Sequence, residues 1–424
     1  VHHFTYRAGE LFAEDVSVQS LAEKYGTPLY VYSTATFKRH FQAFDSAFAD
    51  IPHLTCYSVK ANSNLCVLRL LAEMGAGMDI VSGGELFRAL AAEVPARKIV
   101  YSGVGKRAAE IREALAADIL MFNVESLEEL QRINEIAREI GKTARISLRI
   151  NPDVDPKTHP YISTGLKKNK FGLDIDQSLE AYELAASMPG IEILGINCHI
   201  GSQLTTIEPF LEALQRIKKF HAKLNKMGLD IRFLDLGGGL GITYDQEEPP
   251  HPKEFGQALM RELNGMDLIL ILEPGRVIAG NAGILVTEVV YTKSTKSKHF
   301  VIVDAAMNDL IRPSLYQSFH HIDEVCPQQR PIRKVDVVGP ICESGDFLAR
   351  DRDLPEVRSG ELLAIFSAGA YGFTMSSQYN SRPRAAEVLV NGTGVMPARK
   401  RETYSDLVAL ERQCLKEDIT FSFP

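Results

Sequence analysis

Lys60 lies in the run Cys56-Tyr57-Ser58-Val59-Lys60-Ala61-Asn62, directly after an apolar, strand-like stretch. A lysine at the carboxyl end of a buried strand brings its ammonium to a pocket instead of to bulk water. Desolvation lowers a lysine pKa, and the neutral amine is a nucleophile toward a carbonyl carbon. Taken alone, a surface lysine that happens to follow a strand is the commoner case. Other reactive residue types follow further strand-like runs. Gly237-Gly238-Gly239-Leu240-Gly241 follows Phe233-Leu234-Asp235-Leu236. Glycines there let backbone N–H groups approach an anion such as phosphate, or simply allow a tight turn with positive φ. Glu273-Pro274-Gly275-Arg276 adds a carboxylate, a glycine and a guanidinium whose planar fork suits phosphate or carboxylate. The alternative is a strand-ending turn with a surface ion pair. His199, in Asn197-Cys198-His199-Ile200-Gly201-Ser202-Gln203, has small neighbours that leave room for a ligand, although a lone strand-end histidine is more often a packed residue.

Towards the carboxyl terminus, Gly339-Pro340-Ile341-Cys342-Glu343-Ser344-Gly345-Asp346 sets a thiol beside a carboxylate in a loop framed by proline and glycine. That pairing reads as a proton donor with a substrate-binding partner, against the alternative of an inert buried thiol. Tyr371, in Ser367-Ala368-Gly369-Ala370-Tyr371-Gly372, is flanked by small residues that permit close ligand approach; a packed core tyrosine is the other reading. Arg312 and Tyr316 add a cation and a phenol suited to a carboxylate.

These groups need a scaffold that gathers them. Strand candidates are Leu54–Ser58, Gly77–Val81, Lys98–Tyr101, Ile119–Phe122, Ala144–Ile150, Ile193–His199, Arg232–Leu236 and Asp267–Leu272. Helix-like segments alternate with them. One is Ser126–Ile140, opened by Ser126 and Glu129 as a capping box. Another is Ile207–Met227, with Phe210, Leu211, Leu214, Ile217 and Phe220 on one stripe. Eight β-then-α units predict an α/β protein with a closed (β/α)8 TIM-type barrel, whose active site forms at the carboxyl ends of the strands. Lys60, Asp79, Arg149, Asn151, His199, the Gly237–Gly239 run and Glu273 all fall at those ends. Beyond about residue 280 the chain turns to β-branched runs: Gly283–Ser294, His299–Asp304, Ile332–Val338, Glu361–Phe366 and Ala385–Val390. This predicts a second, mostly β domain (a β-barrel or sandwich), with Leu29–Tyr32 joining it. The expected domains are residues 33–280 for the barrel, and 1–32 together with 281–424 for the β-domain.

A phosphate site opposite a strand-end lysine points to pyridoxal 5′-phosphate, its aldehyde joined to Lys60 and its phosphate over the glycines. Glu273 is placed to keep the pyridine nitrogen protonated, which makes the ring an electron sink for carbanion chemistry at a substrate α-carbon. His199 is placed to stack on the ring.

Hydrophobic residues are 45% and charged residues 24% of the 424, the usual mix for a globular chain with a large core. The net charge of −7 argues against nucleic acid as a main partner. No apolar run approaches the roughly 20 residues that span a bilayer, and Val1-His2-His3-Phe4 shows no signal pattern, so a cytoplasmic protein without membrane contact is expected. The absent initiator methionine leaves room for a few further amino-terminal residues. Cys56, Cys66, Cys198, Cys326, Cys342 and Cys414 are scattered, with no C-x-x-C pair, so neither a metal site nor a disulfide framework is expected.

From Tyr57-Ser58-Val59-Lys60-Ala61-Asn62 to Tyr379-Asn380-Ser381-Arg382-Pro383 the chain resembles the fold-type III pyridoxal-phosphate-dependent decarboxylases, and within them the diaminopimelate decarboxylase family. The distinguishing segments are Ile162-Ser163-Thr164-Gly165-Leu166-Lys167-Lys168-Asn169-Lys170-Phe171-Gly172, the Cys342–Asp346 loop and Gly369–Arg382. The resemblance implies that Lys60 carries the cofactor, His199 stacks on it and Glu273 binds the pyridine nitrogen. Asp79 also belongs to the cofactor site. Ser202, Gly239 and the Glu273–Arg276 turn, with Gly275, surround the phosphate. Arg276, Arg312, Tyr316 and Glu343 hold the non-reacting end of the substrate; Cys342 donates a proton; Tyr371 touches cofactor and substrate. It further implies a homodimer with shared active sites, the Cys342–Glu343 loop reaching the partner's barrel, and lysine as product.

The residues agree with meso-diaminopimelate, whose far end carries both a carboxylate and an ammonium. Arg312 or Arg276 would meet the first and Glu343 the second. Ornithine would leave an arginine unpaired, at a cost of ~1–3 kcal/mol or more. The rivals are a decarboxylase of ornithine, arginine or carboxynorspermidine, an alanine-racemase-like enzyme lacking the Glu273-type carboxylate and the Cys342 loop, and a non-catalytic cofactor-binding relative.

Overall fold

Eight short parallel strands carry the larger part of the chain: β1 (His53–Ser58), β2 (Gly77–Ile80), β3 (Ile99–Tyr101), β4 (Met121–Val124), β5 (Ala144–Asn151), β6 (Ile191–Asn197), β7 (Phe233–Asp235) and β8 (Ile269–Leu272). Each pairs with the next; β8 pairs with β1 and β4 with β5, so the ring closes. The computed structural model describes residues 2–155 and 170–415; most of the Ile162–Gly172 segment and the end of the tail, 416–424, lie outside the described residues. The chain divides into two units, Thr36–Asn281 and a second one made of Val1–Ala35 with Ala282–Pro424.

The barrel interior follows from a period of two along each strand. Cys56, Val100, Met121, Leu194 and Ile271 form one buried apolar cluster. Two residues on from four of these, towards the carboxyl ends, stand Ser58, Ser102, Asn123 and Glu273, all buried. One step of the pleat therefore turns an apolar layer into a polar one. Register then sets neighbours side by side: Ser58 pairs with Asp79 and Asn123 with Ser147.

Helices between the strands bury one stripe each. In Glu208–Lys226 the buried residues are Pro209, Phe210, Ala213, Leu214, Ile217, Phe220 and Leu224. Leu211, expected on that stripe, is only half-buried. Leu127–Glu139 begins at Ser126, whose side chain accepts the Glu129 N–H as expected. The reciprocal arm differs, since Glu129 reaches back to the Glu125 N–H (3.0 Å), one residue earlier than a capping box requires. Strand β4 lies two residues later than expected. The Leu120 N–H is already engaged by the Ile99 carbonyl (2.9 Å) in the turn that enters the strand.

In the other unit, Leu29–Ser33 lies between Gly283–Ser294 and Ala386–Asn391. Its apolar residues share a core with Phe4, Leu11, Val18, Ile284, Val286, Val325, Phe366 and Val388. Two strands absent from the sequence expectation, Phe347–Pro355 and Gly394–Arg399, form the two ends of this sheet. Edge strands face water and carry charge, as Phe347–Pro355 does, or proline, as Gly394–Arg399 does, and either erases the apolar signal.

Gly256, inside the helix Pro252–Leu263, lies so close to Ala47 that a Cβ there would come within 2.4 Å of the Ala47 carbonyl oxygen. Gly256→Ala should lower the unfolding free energy by ~1–2 kcal/mol, overpacking outweighing alanine's better helix propensity. A melting temperature that is unchanged or higher contradicts this contact.

Candidate active site

The strand-end layer of the barrel gathers charge, its three carboxyls Asp79, Asp235 and Glu273 buried. Lys60 sits in a short 3-10 turn, Val59–Ala61, directly after β1. Its Nζ lies 2.7 Å from Asp79 Oδ2, with the lysine side chain 36% exposed and the aspartate fully buried. The amine is thus held by a carboxylate, and not stripped of polar contact in an apolar pocket. Ser58 Oγ also donates to Asp79 Oδ2 (2.9 Å). Asp79 Oδ1 is buried without a hydrogen-bond partner among the described residues.

Glu273 lies on the far side of Ser58, which makes an alternative hydrogen bond to the Glu273 carbonyl (3.0 Å). Its carboxyl Oε1 accepts from Asn123 Nδ2 (3.2 Å) and Ser102 Oγ (3.3 Å). The Asn123 amide also reaches Asp235 Oδ2 (2.8 Å), and Ser147 Oγ steadies it through Asn123 Oδ1 (2.6 Å). Burial, then the charges of Asp235 and Asp79, hold the Glu273 carboxyl well above its ordinary range. Burial likewise raises Asp235. The two acids share a proton because low polarity disfavours two adjacent charges.

The Gly237–Gly239 run connects this pair to His199. Gly237 N–H donates to Asp235 Oδ1 (2.9 Å), and Gly238 N–H donates to His199 Nδ1 (3.2 Å). Accepting there leaves the ring proton on Nε2. Burial, with the Arg149 and Lys60 charges, holds His199 well below its ordinary range, so the ring is neutral. Gly237 and Gly239 have φ of 66° and 121°, and a Cβ on Gly238 would come within 2.2 Å of the Glu273 carbonyl oxygen. Arg276 opens a four-residue helix after Gly275, and its guanidinium donates to Ser202 Oγ (3.0 Å) and the Tyr244 hydroxyl (2.7 Å). Arg149 borders this centre, its guanidinium donating to the His199 carbonyl (3.4 Å). It forms a buried pair with Glu125 (2.7 Å), and Glu125 also receives the Gly172 N–H (2.9 Å). Asn151 Nδ2 reaches the Phe171 carbonyl (3.4 Å).

In the β-rich unit, Cys342 is exposed and its N–H donates to Asn380 Oδ1 (3.0 Å). Glu343 Oε2 accepts from the Tyr379 hydroxyl (2.8 Å). Arg312 is buried; it donates to Ser318 Oγ (3.3 Å) and lies 5.7 Å over the Tyr316 ring. Ser314, in the same helix, donates to the Gly345 carbonyl (2.6 Å), which ties Arg312 and Tyr316 to the Cys342 loop. Tyr371 is half-buried with a left-handed backbone, φ 56°.

Sequence reasoning missed Asn123, Ser147 and Tyr244, and gave Asp235 no role. For the first two and Asp235 a signal existed: polar residues in phase with the inward-facing side chains of their strands. Glu85 was missed too. Burial pushes its carboxyl up to about 7, and Oε2 accepts the Val81 N–H (2.7 Å).

The family model for the pyridoxal binding domain of pyridoxal-dependent decarboxylases matches residues 34–280. The diaminopimelate decarboxylase of Vibrio cholerae serotype O1 is 56% identical over 411 residues, covering 96% of this chain and 98% of the relative. That of Aquifex aeolicus is 54% identical over 407 residues, with 96% of each chain covered. The crystal structure of diaminopimelate decarboxylase from Helicobacter pylori complexed with L-lysine matches with a TM-score of 0.91 at 46% identity, covering 93% of this chain and 99% of that chain. The chain belongs to the pyridoxal-dependent decarboxylases and, within them, to the diaminopimelate decarboxylase family.

The residues present fit pyridoxal 5′-phosphate. An amine stands at a strand end, a proton-retaining carboxyl suits a pyridine nitrogen, and a neutral imidazole offers a ring face. Crowded glycines beside Ser202 and Arg276 offer donors for a phosphate.

Asp235 binds a proton more tightly folded than unfolded. Its contribution to stability is present at low pH and is lost as pH rises from about 4 to about 6. The wild type should therefore lose stability relative to Asp235→Asn across that interval in the cofactor-free protein. Denaturant unfolding at a series of pH values checks this, and a difference that is flat or of opposite slope contradicts it.

Proposed function

We propose that this protein decarboxylates meso-2,6-diaminopimelate to L-lysine and CO2, using pyridoxal 5′-phosphate. One observation carries the reading: a strand-end layer holds both an amine, Lys60, and a proton-retaining carboxyl, Glu273, in a chain 56% identical to a diaminopimelate decarboxylase.

When bound, the cofactor supplies an electron sink for the electron pair left on the substrate α-carbon as CO2 departs. Lys60 Nζ, released from Asp79, provides the amine that anchors the cofactor. Glu273 keeps a proton at the pyridine nitrogen, with Asp235 and Asn123 orienting its carboxyl. His199 contributes a neutral face, its tautomer set by Gly238. Ser202, Gly239, Gly275 and Arg276 bind the phosphate. Arg312 or Arg276, with Tyr316, takes the substrate's distal carboxylate, and Glu343 takes its distal ammonium. The Cys342 thiol delivers the proton that replaces CO2, and Tyr371 touches both cofactor and substrate.

The protein acts as a homodimer in this reading, the Cys342–Glu343 loop of each chain completing the partner's site, and it works in the cytoplasm without nucleic acid or membrane. Six free cysteines, a net charge of −7 and the lack, among the described residues, of a helix long and apolar enough to cross a membrane support that setting.

Purified protein should be yellow and should turn over meso-diaminopimelate faster than ornithine, while Lys60→Ala should lose both colour and activity. Preferential turnover of ornithine overturns the substrate, and colour surviving in the variant overturns the anchor. Lys60→Ala mixed with Cys342→Ala should regain part of the activity that each lacks alone, measured after heterodimers are confirmed. No recovery means that sites are not shared.

A further inference from the structure

Residues Tyr379–Ser381 form a short 3-10 turn in which Asn380 and Ser381 have left-handed backbones, φ 55° and 53°. Such conformations are unfavourable for non-glycine residues and persist where surrounding contacts over-determine them. From this turn two adjacent side chains reach two adjacent residues of the Cys342 loop. Asn380 Oδ1 accepts the Cys342 N–H at 3.0 Å, and the Tyr379 hydroxyl donates to Glu343 Oε2 at 2.8 Å.

The rest of the loop is held from its other end. Asp346 accepts from Met307 N–H and Ile341 N–H, each at 2.7 Å, and its own N–H donates to the Glu343 carbonyl at 3.0 Å. Those bonds fix the loop's backbone path but leave the two residues at its exposed crest to be aimed. Engaging the Cys342 N–H limits rotation of the peptide that carries the thiol. Binding Glu343 Oε2 halts rotation of a carboxylate that would otherwise sample several rotamers, and leaves its other oxygen for a cation. A phenol is a donor at neutral pH in any case, and the Glu343 carboxylate beside it raises the Tyr379 hydroxyl further above its ordinary range.

We propose that Tyr379 and Asn380 are positioning residues, Asn380 aiming the Cys342 thiol for proton delivery and Tyr379 aiming the Glu343 carboxylate for the substrate's distal ammonium. The roles of Cys342 and Glu343 rest on the decarboxylase reading above; the clamp itself rests on the two hydrogen bonds. The division of labour has a kinetic signature. Loss of the Tyr379 hydroxyl weakens substrate binding, whereas loss of the Asn380 acceptor slows protonation.

The test uses the holoenzyme and meso-diaminopimelate. Tyr379→Phe should raise KM about fivefold with kcat nearly unchanged, the size expected for one partly exposed hydrogen bond to a charge. Asn380→Gly keeps the left-handed backbone at little cost but removes the acceptor, and should lower kcat about fivefold with KM nearly unchanged. Asn380→Asp keeps both the acceptor and the tolerance of positive φ, and should restore kcat. Hydrogen–deuterium exchange of the peptide containing Cys342, which needs no turnover, should quicken in Asn380→Gly and return towards wild type in Asn380→Asp. Wild-type constants in Tyr379→Phe and Asn380→Gly, identical KM and kcat changes in the two, or unaltered exchange in Asn380→Gly overturns the proposal. A wild type that exchanges as expected but does not act on meso-diaminopimelate defeats the functional reading and the aiming roles, and leaves the Asn380 clamp standing.

Discussion

Three carboxyls, Asp79, Asp235 and Glu273, stand inside the barrel where water has no access. Burying one unpaired carboxylate costs several kcal/mol, more than the roughly 1 kcal/mol returned by an ordinary hydrogen bond. Each acid therefore needs more than one partner, and the surrounding structure supplies them. Asp79 takes the Lys60 ammonium and the Ser58 hydroxyl. Asp235 takes the Gly237 N–H and the Asn123 amide. Glu273 keeps its proton and draws on Asn123 and Ser102. The positions of the lysine, the glycine run and the asparagine are consequences of that requirement.

The same network couples elements distant in sequence. Gly237 binds Asp235 while Gly238 binds His199, so the loop after β7 sets the tautomer of a residue after β6. Asn123, from β4, touches groups after β3, in β7 and after β8. A change at any one of them alters the proton inventory of the others. The β-rich unit uses a different device. Its exposed Cys342–Glu343 crest is held by two side chains from a strained turn, one accepting a peptide N–H and the other donating to a carboxylate, while Asp346 fixes the base of the loop through peptide N–H groups.

Much of this was legible from residues alone. All eight barrel strands were located within a few residues, because buried parallel strands are short apolar runs separated by amphipathic helices. Lys60, His199, the Gly237–Gly239 run and Glu273 were recognised as strand-end residues for the same reason. Phe347–Pro355 and Gly394–Arg399 were not, since an edge strand is half water-facing: charges break the pattern in the first, and a glycine and a proline in the second. Asn123 and Ser147 passed unnoticed because a polar residue inside a barrel strand looks like any strand polar residue until the ring closes around it.

What the sequence determined by itself was the order of elements and the chemical kinds of group at their ends. Both are local properties, set by hydrophobic period, turn residues and side-chain type. Which acid meets the amine, which pair shares a proton and which nitrogen of His199 carries hydrogen were decided only by tertiary structure. Those depend on register and ring closure, which bring together groups up to 215 residues apart, as Ser58 and Glu273 are. Electrostatic energy changes steeply over a few ångströms, and no pattern along the chain specifies distances that short.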